Sequence, residues 1–316
     1  MWNVKQKMYC TITIDTEPDC TTKWTRSNPL TFESIEKWIP ELLTPLFDKY
    51  NVKPVYFVSP EPLYFDKPTK VLKDLVEHWK CEIWNHLHSE YIEPEKKWEK
   101  FDWTDSNAYL CFDYSDEIEF GKLKNYHNFI KERLWVEPVS YRAARYWADI
   151  NTIRSLKKLW YKVDSSVTPW IDWSKQWGPN FKNFSNQPYW VDENNFSKDS
   201  DKKEILEVPI SIWWKRFPFL PDKWLFYKWL RPTHMTVFEQ KNLIKEIIKE
   251  NKNKEIVVLN IMFHSMEIIP NATPFVRSKL EQKLYLNRLE WIIKYIQKIW
   301  WEFKTLEEIY NLYKYL

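Results

Sequence analysis

A chain of 316 residues with 47 basic and 44 acidic side chains carries a formal charge of only +3, so its composition points to neither nucleic acid nor an anionic membrane surface as partner. The 44% hydrophobic and 29% charged residues fit a soluble globular protein long enough for a full-sized core. Nothing approaches the ~20 apolar residues of a membrane span, no signal-peptide pattern opens the chain, and Cys10, Cys20, Cys81 and Cys111 show neither CxxC spacing nor disulfide-framework density, which predicts a cytoplasmic location.

Short β runs alternate with helical patterns along the chain. Strands are expected at 8–15 (MYCTITID), 53–59, 81–85, 138–142, 161–165, 205–212 and 255–264 (EIVVLNIMFH). Helices are expected at about 32–50, 69–79, 116–134, 149–160 and 236–251, with Pro40 and Pro45 breaking or bending the first. A long helix at 276–299, a short strand at 301–305 and a final helix with Glu307 and Glu308 in its first turn complete the pattern. This alternation implies parallel strands with crossover helices, closed as a barrel or left open. Residues 174–203 are polar and 213–235 aromatic and Pro-rich, so 174–235 is expected to be an irregular insertion or lid. No repeat or linker divides the chain, and one catalytic domain with a helical extension over 276–316 is expected.

Two Gly and 21 Trp form an abnormal pair of counts, because about 7% Gly would give roughly 22 in a chain this long. The Trp positions resemble glycine positions. Trp79, Trp135 and Trp160 end helical patterns where a left-handed cap is expected, and Trp170 follows Pro169 as in a Pro-Gly turn. Trp84 stands before Asn85-His86, where a tight turn is expected. The reading is that UGA codes for glycine in the source organism and was rendered as Trp. A genuinely Trp-rich chain with sugar-stacking platforms explains the Trp abundance but not the missing Gly. Trp173 and one of Trp213 and Trp214 read as true tryptophan.

Function in parallel α/β folds gathers where strands end, and five strand exits carry polar or ionisable groups. They are Asp15-Thr16-Glu17, His86-Leu87-His88 with Glu90 behind, Tyr141-Arg142-Ala143-Ala144-Arg145-Tyr146, Asp164-Ser165-Ser166 and His264-Ser265-Met266-Glu267. A carboxylate and two imidazoles suit a divalent ion with an open position. A second carboxylate can take a proton from water, an Arg can keep it ionised, and a distant His can protonate a leaving amine. Asp164 is read equally as a turn or cap acid, and Arg145 as an ordinary ion-pair residue. His78, His127 and His234 are read as ordinary surface or core histidines.

Together these residues resemble the motifs of the polysaccharide deacetylase family (NodB-homology, carbohydrate esterase family 4), over roughly residues 8 to 310. The subgroup resembled is the WalW-like set from lipopolysaccharide biosynthesis. With Trp read as Gly the segments become EIGNHLHSE, SYRAARYGAD, GYKVDSSVTPGIDW and MFHSMEIIPNATPF. The resemblance implies an α/β fold, a deformed (β/α) barrel of about seven parallel strands. It also implies a metal-dependent carbohydrate N-deacetylase, acting on a sugar of a cell-surface polysaccharide or lipopolysaccharide precursor. Asp15 corresponds to the base, Arg142 to its partner, His264 to the general acid and Asp164 to a group that tunes it. Glu17, His86 and His88 correspond to the metal ligands, with Zn2+ the default and iron, cobalt or manganese open. The family usually has Asp where Thr16 stands and a second His where Glu90 stands, so Glu90 is an alternative third ligand. Tyr146 and Arg145 correspond to a substrate-binding loop whose backbone N–H stabilises an oxyanion. The competing readings are a non-catalytic carbohydrate-binding relative and a glycoside hydrolase using Asp15 and Glu267.

Overall fold

The computed structural model describes residues 6–96, 114–215, 226–233, 235–299 and 301–316; Cys111 and His234 lie outside them. In chain order the elements are β1 (Lys7–Thr16), a wide-turned helical segment (Ser34–Leu43) running into α1 (Thr44–Lys49), β2 (Val55–Val58), α2 (Pro60–Leu63), α3 (Asp66–Glu77), β3 (Glu82–Asn85) and α4 (Asp116–Leu134). Then come β4 (Ser140–Tyr141), α5 (Ile150–Lys158), β5 (Val163–Asp164), β6 (Tyr189–Asp192), β7 (Asn195–Asp199), β8 (Leu206–Glu207), β9 (Ile212–Lys215) and β10 (Phe226–Trp229). The chain finishes with α6 (Val237–Glu250), β11 (Ile256–His264), α7 (Lys279–Lys298), β12 (Glu302–Phe303) and α8 (Leu306–Lys314). Pro40 lies inside the wide-turned segment rather than breaking it, and Pro45 sits in the first turn of α1. A proline without an N–H is accommodated in both places.

One curled sheet has the order β11-β1-β2-β3-β4-β5-β8-β6-β7, with β12 also on β1. The run from β11 to β8 is parallel throughout, giving seven parallel strands, and β6 and β7 continue it antiparallel. The gap between the β8 side and β11 is bridged locally. The Ser211 N–H donates to Asn260 O, Met262 N–H donates to Leu230 O, and the Gln187 side chain bonds both backbone groups of Val258. The result is the deformed α/β barrel. Within 174–235, expected to be irregular apart from a strand at 205–212, the chain also forms β6, β7, β9 and β10, the last two as a separate antiparallel pair.

Alternation along β1 sorts the core. Cys10, Ile12 and Ile14 face the helices and join the main apolar cluster with Ile35, Leu72, Leu123, Ile244 and Leu289. Tyr9 faces inward with Val55, Phe57, Trp84, Val163, Leu206 and Val258, and Leu306 and Ile309 of α8 close this inner cluster. Nearer the strand ends the interior is polar: Thr13 Oγ1 donates to Asn260 Oδ1 at 2.7 Å, and Asn260 Nδ2 donates to Ser165 Oγ at 3.0 Å. Capping boxes at Asp149/Thr152, Thr236/Glu239 and Thr305/Glu308 start α5, α6 and α8, each contributing about 1 kcal/mol. Among the described residues no helix is long and apolar enough to cross a membrane.

Six of the eleven non-glycine residues with positive φ among those described are tryptophans: Trp24, Trp79, Trp135, Trp160, Trp170 and Trp177. Trp135 is the left-handed cap of α4, and Trp79 and Trp160 follow the ends of α3 and α5. Trp79, Trp135, Trp160 and Trp177 also expose 73–90% of their surface, so burial offsets little of the strain of a Cβ in that conformation. Trp84 differs. It is buried, extended within β3, paired to Phe57 of β2, and bonded through Nε1 to Glu82 Oε2 at 2.8 Å. The tight turn expected at Trp84 is not there, because parallel pairing continues through Asn85 to Tyr141.

Candidate metal and acid–base centre

Asp15 is the last inward residue of β1 and lies in register with His264 at the end of β11. Arg142, just past β4, reaches across the interior with a guanidinium that is wholly buried. Its Nη1 donates to Asp15 Oδ1 at 2.7 Å, Nη2 to Thr13 Oγ1 at 2.8 Å and Ser165 Oγ at 2.9 Å, and Nε to Ser165 O at 2.9 Å. The Phe57 ring lies beneath it, 4.4 Å from Cζ. One carboxylate oxygen of Asp15 is thus pinned, and the other faces His264, with Nε2 at 3.8 Å.

Glu17 follows β1 and faces both histidines that follow β3. Its carboxylate is 3.3 Å from His86 Nε2 and 3.9 Å from His88 Nε2. The two imidazoles turn their other nitrogens outward: His86 Nδ1 lies 2.9 Å from Arg142 O, and His88 Nδ1 lies 2.8 Å from Glu61 Oε1. Donor atoms of Glu17, His86 and His88 all lie within 4.8 Å of one another, and so do those of Asp15, Glu17 and His264. An ionised carboxylate with two imidazoles whose Nδ1 atoms are engaged fits a borderline divalent cation, bound through Nε2. Burial alone would raise the Glu17 carboxyl, yet the His86 hydrogen bond and the His88 and His264 charges hold it well below the usual range. Burial lowers the His86 imidazole, but Asp15 and Glu17 raise it overall. The field of the centre therefore favours positive charge. Glu90, the alternative ligand, instead lies 3.5 Å from Arg26.

His264 has its Nδ1 3.1 Å from Glu267 Oε1, and Glu267 is paired in turn with Arg231. Burial would raise the Glu267 carboxyl, but Arg231 and His264 hold it at about 2. The carboxylate against His264 is therefore Glu267, not Asp164. Asp164 accepts from Ser166 Oγ at 2.6 Å, and Ser166 Oγ accepts from the Ala143 N–H at 2.9 Å. Burial raises both Asp164 and its neighbour Glu207, and repulsion between them adds to the shift at Glu207. Asp164 thus buttresses the loop after Arg142.

That loop is bent sharply, with φ of 53° at Arg145 and 64° at Tyr146, conformations that store strain in side-chain-bearing residues. Arg145 is exposed. The Tyr146 hydroxyl meets Met262 Sδ at 3.3 Å and its ring packs near Trp229. The Tyr146 N–H donates to Ala143 O at 2.9 Å and the Trp147 N–H to Ala144 O at 3.1 Å. His78 pairs with Asp74 and His127 with Glu137.

Arg26, Glu61 and Arg231 were absent from the sequence expectations. Glu61 had a usable signal, since VSPEP is the exit of β2. Arg26 and Arg231 sit in loops whose apposition only the fold creates. Glu267 had a local signal, because His-x-x-Glu has capping-box spacing and the His264 N–H donates to Glu267 Oε1 at 2.9 Å.

No family model matches this chain, and no curated protein matches it. Solved structures do resemble it. A protein from Mycobacterium smegmatis assigned as a polysaccharide deacetylase superposes with a TM-score of 0.55 at 16% identity, covering 98% of this chain and 91% of its own. A protein from Parabacteroides distasonis assigned as a glycoside hydrolase/deacetylase gives 0.62 at 9% identity, covering 95% and 70%. At such identities the likeness establishes a shared fold: the chain has the deformed-barrel architecture of these two proteins.

Proposed function

We propose that the chain is a member of the polysaccharide deacetylase family, in its WalW-like subgroup. It acts as a single-domain, cytoplasmic hydrolase removing N-acetyl groups from a sugar of a cell-surface polysaccharide or lipopolysaccharide precursor. The observation that carries this reading is the convergence of Asp15–Arg142, Glu17–His86–His88 and His264–Glu267 at one end of the barrel. Glu17, His86 and His88 would hold a divalent ion, Zn2+ by default, which would supply Lewis acidity toward an acyl oxygen and toward water. Asp15, its other oxygen fixed by Arg142, takes the proton of the attacking water. His264 gives the Nε2 proton to the departing amine, while ionised Glu267 accepts the Nδ1–H and stabilises the imidazolium. The loop at Ala143–Trp147 presents Tyr146 and Arg145 to the sugar, and an N–H of the loop other than those of Ala143, Tyr146 and Trp147, which already donate within the protein, to the developing oxyanion. Water and an N-acetyl sugar give acetate and a free amino sugar.

A paired-carboxylate glycoside hydrolase fits less well, because Glu267 is wholly buried and committed to Arg231 and His264. The test is acetate release from N-acetylglucosamine oligomers by zinc-supplemented protein, with and without a chelator. Release that chelation abolishes supports the reading. Sugar cleavage that survives chelation favours the glycoside hydrolase, and sugar binding without any release favours the non-catalytic relative.

We also propose that the left-handed tryptophans are glycine in the native protein. Trp79, Trp135, Trp160 and Trp177 each carry φ above +50° at exposed sites. Changing each to Gly in the chain as written is expected to stabilise it by about 1 kcal/mol, read as a stepwise rise in denaturation midpoint. UGA codons at these positions would support recoding. UGG codons there, or tryptophan in peptide mass spectra of the native protein, would overturn it.

A further inference from the structure

We propose that Glu61, held by Arg26, is a positioning residue that decides which nitrogen of His88 is offered to a metal ion. The inference rests on the metal-centre reading above.

Glu61 stands in α2, three residues beyond the end of β2, whose exit opens on the same centre. Its side chain is completely buried. Oε1 lies 2.8 Å from His88 Nδ1 and 3.2 Å from Arg26 Nη2, whereas Oε2 has no hydrogen-bond partner among the described residues. A buried charge is expensive, and His88 and Arg26 offset that penalty for the Glu61 carboxylate. Arg26 itself spans the cluster. Nη1 reaches Tyr91 Oη at 3.0 Å and Glu90 Oε1 at 3.5 Å, and Nη2 lies 2.6 Å from His88 Nδ1.

This geometry poses a choice at one atom. A guanidinium only donates and a carboxylate only accepts. If Nδ1 carries the proton, it donates to Glu61 and leaves the Nε2 lone pair facing Glu17. If Nδ1 is bare, it accepts from Arg26, and Nε2 carries a proton toward Glu17 Oε2. Only the first form can bind an ion jointly with Glu17 and His86. His86 faces no such choice, since its Nδ1 lies against the backbone oxygen of Arg142, which can only accept. Glu61 therefore supplies for His88 what a carbonyl supplies for His86. Arg26, paired to Glu61 and Glu90, holds the carboxylate in place.

The test is Zn2+ affinity, measured by competition with a chromophoric chelator, for the unmodified chain, Glu61→Ala and Glu61→Gln. The expected loss is about 10- to 100-fold for Glu61→Ala, with Glu61→Gln in between because its amide oxygen still accepts from Nδ1–H. A folded Glu61→Ala that binds within about twofold of the unmodified chain overturns this inference alone. An unmodified chain that binds no ion overturns the metal centre itself. Long-range nitrogen–proton NMR correlations of the ion-free, unmodified chain read the tautomer directly, before any ion imposes it. An Nδ1-protonated His88 ring supports the role, and an Nε2-protonated ring overturns it.

Discussion

Replacing Asp15 with asparagine is expected to lower the turnover number for acetate release by about a thousandfold, within the range of 10²–10⁴ typical of a positioned general base. The change is nearly isosteric. The amide oxygen can still accept from Arg142 Nη1, which now donates to Asp15 Oδ1 at 2.7 Å, so the fold and Zn2+ affinity should hold. What disappears is the proton acceptor. His264→Ala should cause a comparable loss by removing the proton donor, and its Nε2 faces both Asp15 and Glu17 at 3.8 and 3.7 Å. Rates are read from acetate production at saturating substrate with zinc present. Turnover unchanged in both variants would remove these roles.

Arg142→Met is expected to destabilise the protein by about 3–5 kcal/mol, the usual consequence of stranding one partner of a buried ion pair. Asp15 is almost fully buried, and Arg142 is its ion-pair partner at hydrogen-bonding distance. The same substitution deprives Thr13 Oγ1, Ser165 Oγ and Ser165 O of a charged donor. Part of the loss should return in the double variant with Asp15→Asn, because the stranded charge is then gone. Denaturant unfolding of the four proteins in the cycle measures this. A single-variant loss below about 1 kcal/mol would mean that the pair is not the support claimed for it.

Much of this centre could be read from the sequence because catalytic groups in a parallel sheet collect where strands end, and strand ends are local features. TITID, IMFH and the short run before His86-Leu87-His88 announce buried strands followed by polar residues. Partner choice is not local. Asp164 and Glu267 are both carboxylates beyond strand ends, and only the curl of the sheet shows that Glu267 faces His264 Nδ1 while Asp164 faces Ser166. Glu61 and Arg26 meet across 35 positions of sequence and have no pattern in common. The hairpin β6–β7 was hidden for a different reason. It lies at the sheet margin, so β7 (NFSKD) is largely exposed and lacks the apolar alternation that marks a buried strand. The turn expected at Trp84 is absent because composition names no backbone conformation and the strand pairs on through Asn85. Trp79, Trp135 and Trp160 hold the left-handed conformations that helix-ending patterns imply, whereas Trp84 is an extended residue of β3.

The central claim is that Glu17, His86 and His88 form one metal centre. The direct measurement is metal content of the purified, zinc-equilibrated protein, combined with X-ray absorption at the zinc edge, for the unmodified chain and His86→Ala. The account predicts one ion per chain, ligated by two imidazoles and a carboxylate, with near-complete loss of the ion in His86→Ala. An ion-free protein, or an ion whose ligation is unchanged by His86→Ala, would contradict it.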